Sequence, residues 1–224
     1  MQIYTSKPKR EDDAKRFPQL GVGVMLNVGE GLGKHVDGLV GKVPMALDNG
    51  AFSERGFDEY LFTKRLSECK QKRIPLEFVV CPDIVAGGIR SLTFSRYWQT
   101  RLSVYDNLYL AVQDGMPYTI DLEGYAGVFV GGSVKWKWQT APTWVFVADR
   151  AGLKTHIGQV GTADRLKWAD EIGADSVDST NFERNSSWHH IEEYQDPKQE
   201  RLVRMGLYDG KCGLKKNRKP NETI

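Results

Sequence analysis

Short apolar runs, each ending on a glycine or a polar residue and mostly followed by an amphipathic stretch, recur along the whole chain and leave few folds open to it. They fall at residues 20–27 (LGVGVMLN), 43–48 (VPMALD), 76–83 (LEFVVCPD), 108–113 (LYLAVQ), 127–131 (GVFVG), 155–158 and 175–178, and residues 2–5 supply an eighth. The runs are nearly continuous in apolar character, as strands buried on both faces require. Between them lie helical patterns. Residues 57–72 carry Tyr60, Leu61, Lys64, Leu66 and Cys69 at mixed three-and-four spacing, and residues 89–104 carry Leu92, Phe94, Trp98 and Leu102. Residues 143–151 follow Pro142, a residue suited to a helix start, and residues 162–172 open on Thr162 as a plain threonine cap. Strands alternating with helices predict an α/β fold on a parallel sheet. Seven or eight such strands predict a compact (β/α)8 TIM-type barrel, with an open doubly wound sheet as the alternative.

The chain of 224 residues, 40% of them hydrophobic, suits one globular domain, placed here at residues 1–209 with a basic tail at 210–224. Net charge is only +2, so bulk charge does not predict a nucleic-acid partner. Basic clusters at the two ends (Lys7, Lys9, Arg10, Lys15, Arg16; Lys211, Lys215, Lys216, Arg218, Lys219) read either as solvated termini or as phosphate contacts. Cys69, Cys81 and Cys212 are far apart and form no CxxC pair, so no metal site is expected, and reduced thiols fit a cytoplasmic protein. The N-terminal MQIYTSKPKREDD turns charged at once, so a secretory leader is not expected, and no apolar run is long enough to cross a membrane.

The C-terminal ends of the expected strands carry a consistent polar set. MALD ends in Asp48 and runs into Asn49-Gly50-Ala51-Phe52; EFVVC runs into Pro82-Asp83; LAVQ ends in Gln113-Asp114-Gly115; VFV ends in Gly131-Gly132-Ser133; the last short run ends in Asp178. Each has an ordinary structural reading. Asp-Asn-Gly is a turn signal, an acid at a strand exit is often a helix cap, and Gly-Gly permits close packing. Taken together they bring three acids, an amide and a diglycine to one rim, where α/β barrels keep their chemistry. The segment Ser133-Val134-Lys135-Trp136-Lys137-Trp138 interleaves cations with aromatics, and either stacks on a nucleic-acid strand or caps the barrel. His156 begins a strand and reads as a core histidine; His189 and His190 read as surface residues.

The same rim motifs resemble those of the tRNA-guanine transglycosylase superfamily. Its Asp-Ser-Gly-Gly-Phe/Tyr-Gln is similar to Asp48-Asn49-Gly50-Ala51-Phe52-Ser53, and its acid on the next strand to Asp83. Its Val-Gln-Gly-Gly is similar to Val112-Gln113-Asp114-Gly115, and its later Gly-Gly to Gly131-Gly132. Its Gly-Val-Gly-Thr helix start is similar to Gln159-Val160-Gly161-Thr162, and its Gly-Val-Asp-x-Phe-Asp to Gly173-Ala174-Asp175-Ser176-Val177-Asp178. The matches run in order from about residue 45 to 185. The family's zinc site of three cysteines and a histidine has no counterpart, and Asn49, Ala51 and Ser53 depart from the first motif. A small, zinc-less relative resembles the phage and bacterial 7-deazaguanine DNA transglycosylases most.

The resemblance implies an enzyme, a pentosyltransferase that exchanges guanine in DNA for a 7-deazaguanine such as a cyano- or aminomethyl-deazaguanine, without a cofactor. The alternatives are the same exchange on tRNA, an N-glycosidic hydrolase, or a module that binds without turnover. It implies that Asp178 is the nucleophile on C1′ and that Asp48 is the acid and base. Asp83 and Gln113 would read the purine edge, helped by the backbone of Gly131 and Gly132, with Asn49 beside them and Phe52 stacked on the base. Lys135, Trp136, Lys137, Lys215 and Lys216 are the candidate contacts to the polynucleotide.

Overall fold

The structure, a computed structural model, describes residues 1–196. Eight parallel strands close into a barrel in sequence order: β1 (Gln2–Ser6), β2 (Gly23–Asn27), β3 (Met45–Asp48), β4 (Leu76–Val80), β5 (Leu108–Val112), β6 (Gly127–Val130), β7 (Lys154–Ile157) and β8 (Ser176–Asp178). The β1–β8 pairing leaves the sheet no open edge, so the fold is the compact (β/α)8 barrel and not the doubly wound alternative. The helices are α1 (Glu11–Leu20), α2 (Glu59–Gln71), α3 (Ile89–Arg101), α4 (Val134–Arg150), α5 (Ala163–Glu171), α6 (Asn181–Arg184) and α7 (His189–Gln195). None of them is long and apolar enough to cross a membrane.

Local chemistry sets most boundaries. Asp58 caps α2 by accepting from the Leu61 N–H at 2.9 Å, and Thr162 caps α5 as its sequence position predicts. Four helices depart from expectation, two of them, α6 and α7, because no helix is expected beyond residue 172. α1 has no counterpart among the predicted elements: Pro18 interrupts it, and only Asp13 and Phe17 are buried. It ends at Gly21, in the left-handed conformation (φ 62°), so the strand expected at residues 20–27 begins only at Gly23. α4 starts well before Pro142. Asp114 accepts from the Ser133 N–H and Oγ at 2.7 Å each, and Ser133 in turn caps the helix. Pro142 therefore sits inside α4, forfeiting one backbone bond while Ala141, Trp144, Val145 and Ala148 bury the helix face around it.

Two separate cores result from the period of two along each strand. Outward residues such as Val24, Leu47, Val79, Leu110, Val128 and Val177 pack with Phe17, Phe62, Trp98, Trp144 and Leu166 of the helices. Each such buried aliphatic or Phe side chain contributes about 1.5–3 kcal/mol. Inward residues make a second, smaller core of Tyr4, Ala46, Phe78, Val80, Tyr109 and Ala111, with Met25 and Phe129 against it. Phe78 stacks on Tyr109 at 4.3 Å and meets Tyr4 edge-on at 5.6 Å. The strand glycines make this possible. Gly23 pairs with Tyr4 and Gly127 with Tyr109, and a Cβ on either would come within 2.6 Å of the facing ring. The lower barrel is thus plugged by rings, and any site must lie above them.

Candidate active site

One step further along the same inward-facing series, the side chains turn polar. After Met25 comes Asn27, after Ala46 Asp48, after Ala111 Gln113, after Phe129 Gly131, after His156 Gly158 and after Ser176 Asp178. All six line one cavity of about 610 Å³ at the C-terminal mouth of the barrel, together with Asp83, Gly132 and Lys137. That volume suits a nucleoside-sized ligand. The strand-end acids, the amide and the diglycine singled out by sequence therefore do converge.

Asp48 is half-buried at the end of β3, and Asn27 donates to its Oδ2 at 3.2 Å. Burial pushes its carboxyl up to about 7, with the charges of Asp178 and Asp83 adding to the effect. Asp83 is buried just beyond β4, and burial raises it to about 6 against the stabilising bond from Asn49. Both acids thus titrate near neutrality inside the cavity, which is where a group that gives and takes a proton must titrate.

The amides at this end are fixed by their partners. Asn49 Nδ2 donates to Asp83 Oδ1 at 2.7 Å and to the Cys81 carbonyl at 2.8 Å, while its Oδ1 accepts from the Ala51 N–H at 2.8 Å. Asn49 therefore stands behind Asp83 and orients it, and Asp83 Oδ2 is left to accept. Gln113 is also buried. Its Oε1 accepts from the Ala86 N–H at 2.6 Å, so its NH2 is the part left to donate. Gly131 offers only its carbonyl, because its N–H is bound to the Val112 carbonyl. Phe52 lines the mouth and is 69% exposed, open to stacking.

Asp178, at the end of β8, has a different setting. His156 Nε2 lies 2.9 Å from its Oδ2, and the ring's Nδ1 lies 2.9 Å from Ser176 Oγ. The Gln159 N–H approaches Asp178 Oδ1 at 3.4 Å, and the Val160 N–H donates to the Asp178 carbonyl at 2.7 Å. Gln159 adopts a positive φ of 64°, an uncommon conformation for a residue with a side chain. Lys137 holds that turn in place. Its Nζ donates to the Gly158 carbonyl at 2.6 Å and to Gln159 Oε1 at 3.2 Å, and it is buried. Burial lowers Lys137 to about 8, while the Asp178 charge works the other way.

His156, which the sequence reads as an ordinary core histidine, is the side-chain partner of Asp178. It is fully buried inside the barrel, stacked on Phe129 at 4.9 Å and flanked by Phe78 and Tyr4. The available signal was parity. His156 pairs with Ser176, two residues before Asp178 on the same inward face.

The expected nucleic-acid segment is divided by its helix. Lys135 is exposed, Trp136 is half-buried against the outer core, and Lys137 points into the cavity. Trp138 packs on Trp168 at 4.5 Å under Arg165, so the segment is no continuous stacking surface. Lys215 and Lys216, with the rest of the basic tail, lie outside the described residues. Among the described residues, no group of three or more His, Cys, Asp or Glu side chains could hold a metal ion. No protein-family model and no curated protein matches the chain.

Proposed function

We propose that the protein exchanges guanine in a nucleic acid for a 7-deazaguanine base through a covalent glycosyl ester on Asp178. The observation that carries this reading is a single cavity with carboxylates in unlike settings: two acids raised toward neutrality by burial, and a third held by a histidine beside a buried ammonium. Placing neighbouring acids in unlike surroundings is how enzymes assign acid and nucleophile roles.

The chemistry runs in two halves. Asp178 attacks C1′, the C1′–N bond breaks with its electron pair going to the purine, and protonated Asp48 gives the departing base its proton. The incoming base then loses a proton to Asp48 and attacks C1′, and the C1′–O bond breaks with its electron pair returning to Asp178.

The base end of the cavity favours guanine over adenine. A donor NH2 on Gln113 and an acceptor oxygen on Asp83 complement the O6 acceptor and the N–H donors of a guanine edge. Adenine presents a donor amine at the position of O6, and would leave both protein groups unpaired. A base inside a duplex must first be flipped out to reach this depth. DNA is the polymer that the motif resemblance favours, and tRNA is its alternative.

The test is exchange of labelled guanine with DNA and tRNA offered side by side. The reading expects label in DNA. Label in tRNA alone moves the activity to the alternative polymer. Label in neither, with release of free guanine, identifies a hydrolase.

A further inference from the structure

We infer that His156 is a positioning residue for Asp178, selecting the attacking oxygen and stabilising the carboxylate when it leaves. The inference rests on the exchange reading above. His156 lies beneath the cavity floor and lines no part of it, so it does not touch substrate. It reaches the chemistry only through Asp178.

The ring is held on every side. Phe129 of β6 stacks on it, and Phe78 of β4 and Tyr4 of β1 flank it. Ser176 and Asp178 of β8 take its two nitrogens. Of these neighbours only Asp178 and Tyr4 are titratable, and burial pushes the Tyr4 phenol upward, so it stays neutral. Ser176 Oγ lies 2.9 Å from Nδ1 but 3.4 Å from the Thr155 carbonyl. A carboxylate only accepts, so Asp178 Oδ2 at 2.9 Å puts the proton of a neutral ring on Nε2, and Nδ1 is then the acceptor for the Ser176 hydroxyl.

Two consequences follow for the reaction. Oδ2 is held by His156 at 2.9 Å, whereas Oδ1 meets only the longer 3.4 Å approach of the Gln159 N–H, so Oδ1 is the oxygen that forms the bond to C1′. In the glycosyl ester Oδ2 becomes the carbonyl oxygen and carries little charge. When the C1′–Oδ1 bond breaks, the electron pair returns to the carboxylate and the Nε2–H bond strengthens with the charge. His156 therefore favours the second half-reaction most.

His156→Phe keeps an aromatic ring in the cage and removes the donor. Exchange by this variant should fall about 10²-fold, with the KM for the incoming base unchanged and the covalent intermediate accumulating. Ser176→Ala should lose less, in the same direction, because the ring persists without the hydroxyl that anchors its Nδ1. Imidazole nitrogen NMR gives a readout independent of turnover. Nε2 should appear protonated and Nδ1 unprotonated, with the Nε2 signal moving in Asp178→Asn. Full exchange by a folded His156→Phe protein overturns the inference and leaves the exchange reading intact. If His156→Phe does not fold, full exchange by Ser176→Ala, or a proton found on Nδ1 alone, overturns it instead. Absence of exchange in the unaltered protein, with the NMR pattern as expected, counts against the exchange reading and not against the hydrogen bond.

Discussion

The two sides of the cavity surround a carboxylate with unlike partners. On the β3–β4 side, Asp48 and Asp83 sit in low-dielectric surroundings with amide partners and no ion pair, and burial drives both toward the neutral form. On the β7–β8 side, Asp178 meets an imidazole, a backbone N–H and the field of the buried Lys137. The residue type is the same, but the partners differ, and so does the work each group can do. A neutral acid can donate a proton to a departing base. On the proposed reading, the carboxylate with His156 at one oxygen and the Gln159 N–H near the other is the one that attacks carbon and leaves again.

Substitutions that erase this contrast should have the largest effects. Asp178→Ala removes the proposed nucleophile, and exchange should fall on the order of 10⁴-fold or more, measured as labelled guanine entering the polymer. Asp48→Asn should cost about 10²–10⁴-fold, because the proposed acid and base is gone while the rest of the cavity persists. The same variant sharpens the contrast through stability. Asp48 holds its proton more tightly when folded, at about 7, than at its ordinary 3.8, so the folded state loses stability as pH rises across that window. An amide at this position does not ionise and carries no such penalty. Thermal melts should therefore show Asp48→Asn gaining on the unaltered protein as pH rises from about 4 to about 7. Asp83→Ala should raise the KM for the incoming base on the order of 10–10²-fold, with a smaller change in kcat. Lys135→Ala sits outside both regions. It should lower the salt slope of oligonucleotide binding by at most about one, with exchange on saturating substrate unchanged.

Much of this architecture is legible in the sequence. Continuous apolar runs locate all eight strands, and their terminal acids and amides locate the cavity, because in a barrel the strand ends share one mouth. What escapes is whatever depends on which face a residue occupies. His156 looks like any core histidine until the β7–β8 register sets it on Asp178. Asn49 looks like a base contact until its three hydrogen bonds turn it toward Asp83. Lys137 looks like one cation in a basic aromatic run, yet helical geometry sends it inward and Lys135 outward. α1 escapes for another reason: its charged residues and Pro18 hide the short apolar stripe around Phe17. Pro142 shifts the expected start of α4 because a proline inside a helix reads as a beginning.

The central claim is a covalent bond between Asp178 and the sugar. It is tested most directly by incubating the protein with a guanine-containing oligonucleotide in the absence of any incoming base, denaturing, and reading the intact mass. The account predicts an adduct of protein and oligonucleotide, less one guanine, on peptides containing Asp178, and none with Asp178→Ala. Exchange that proceeds at full rate in Asp178→Ala, or an adduct that maps to another residue, contradicts it.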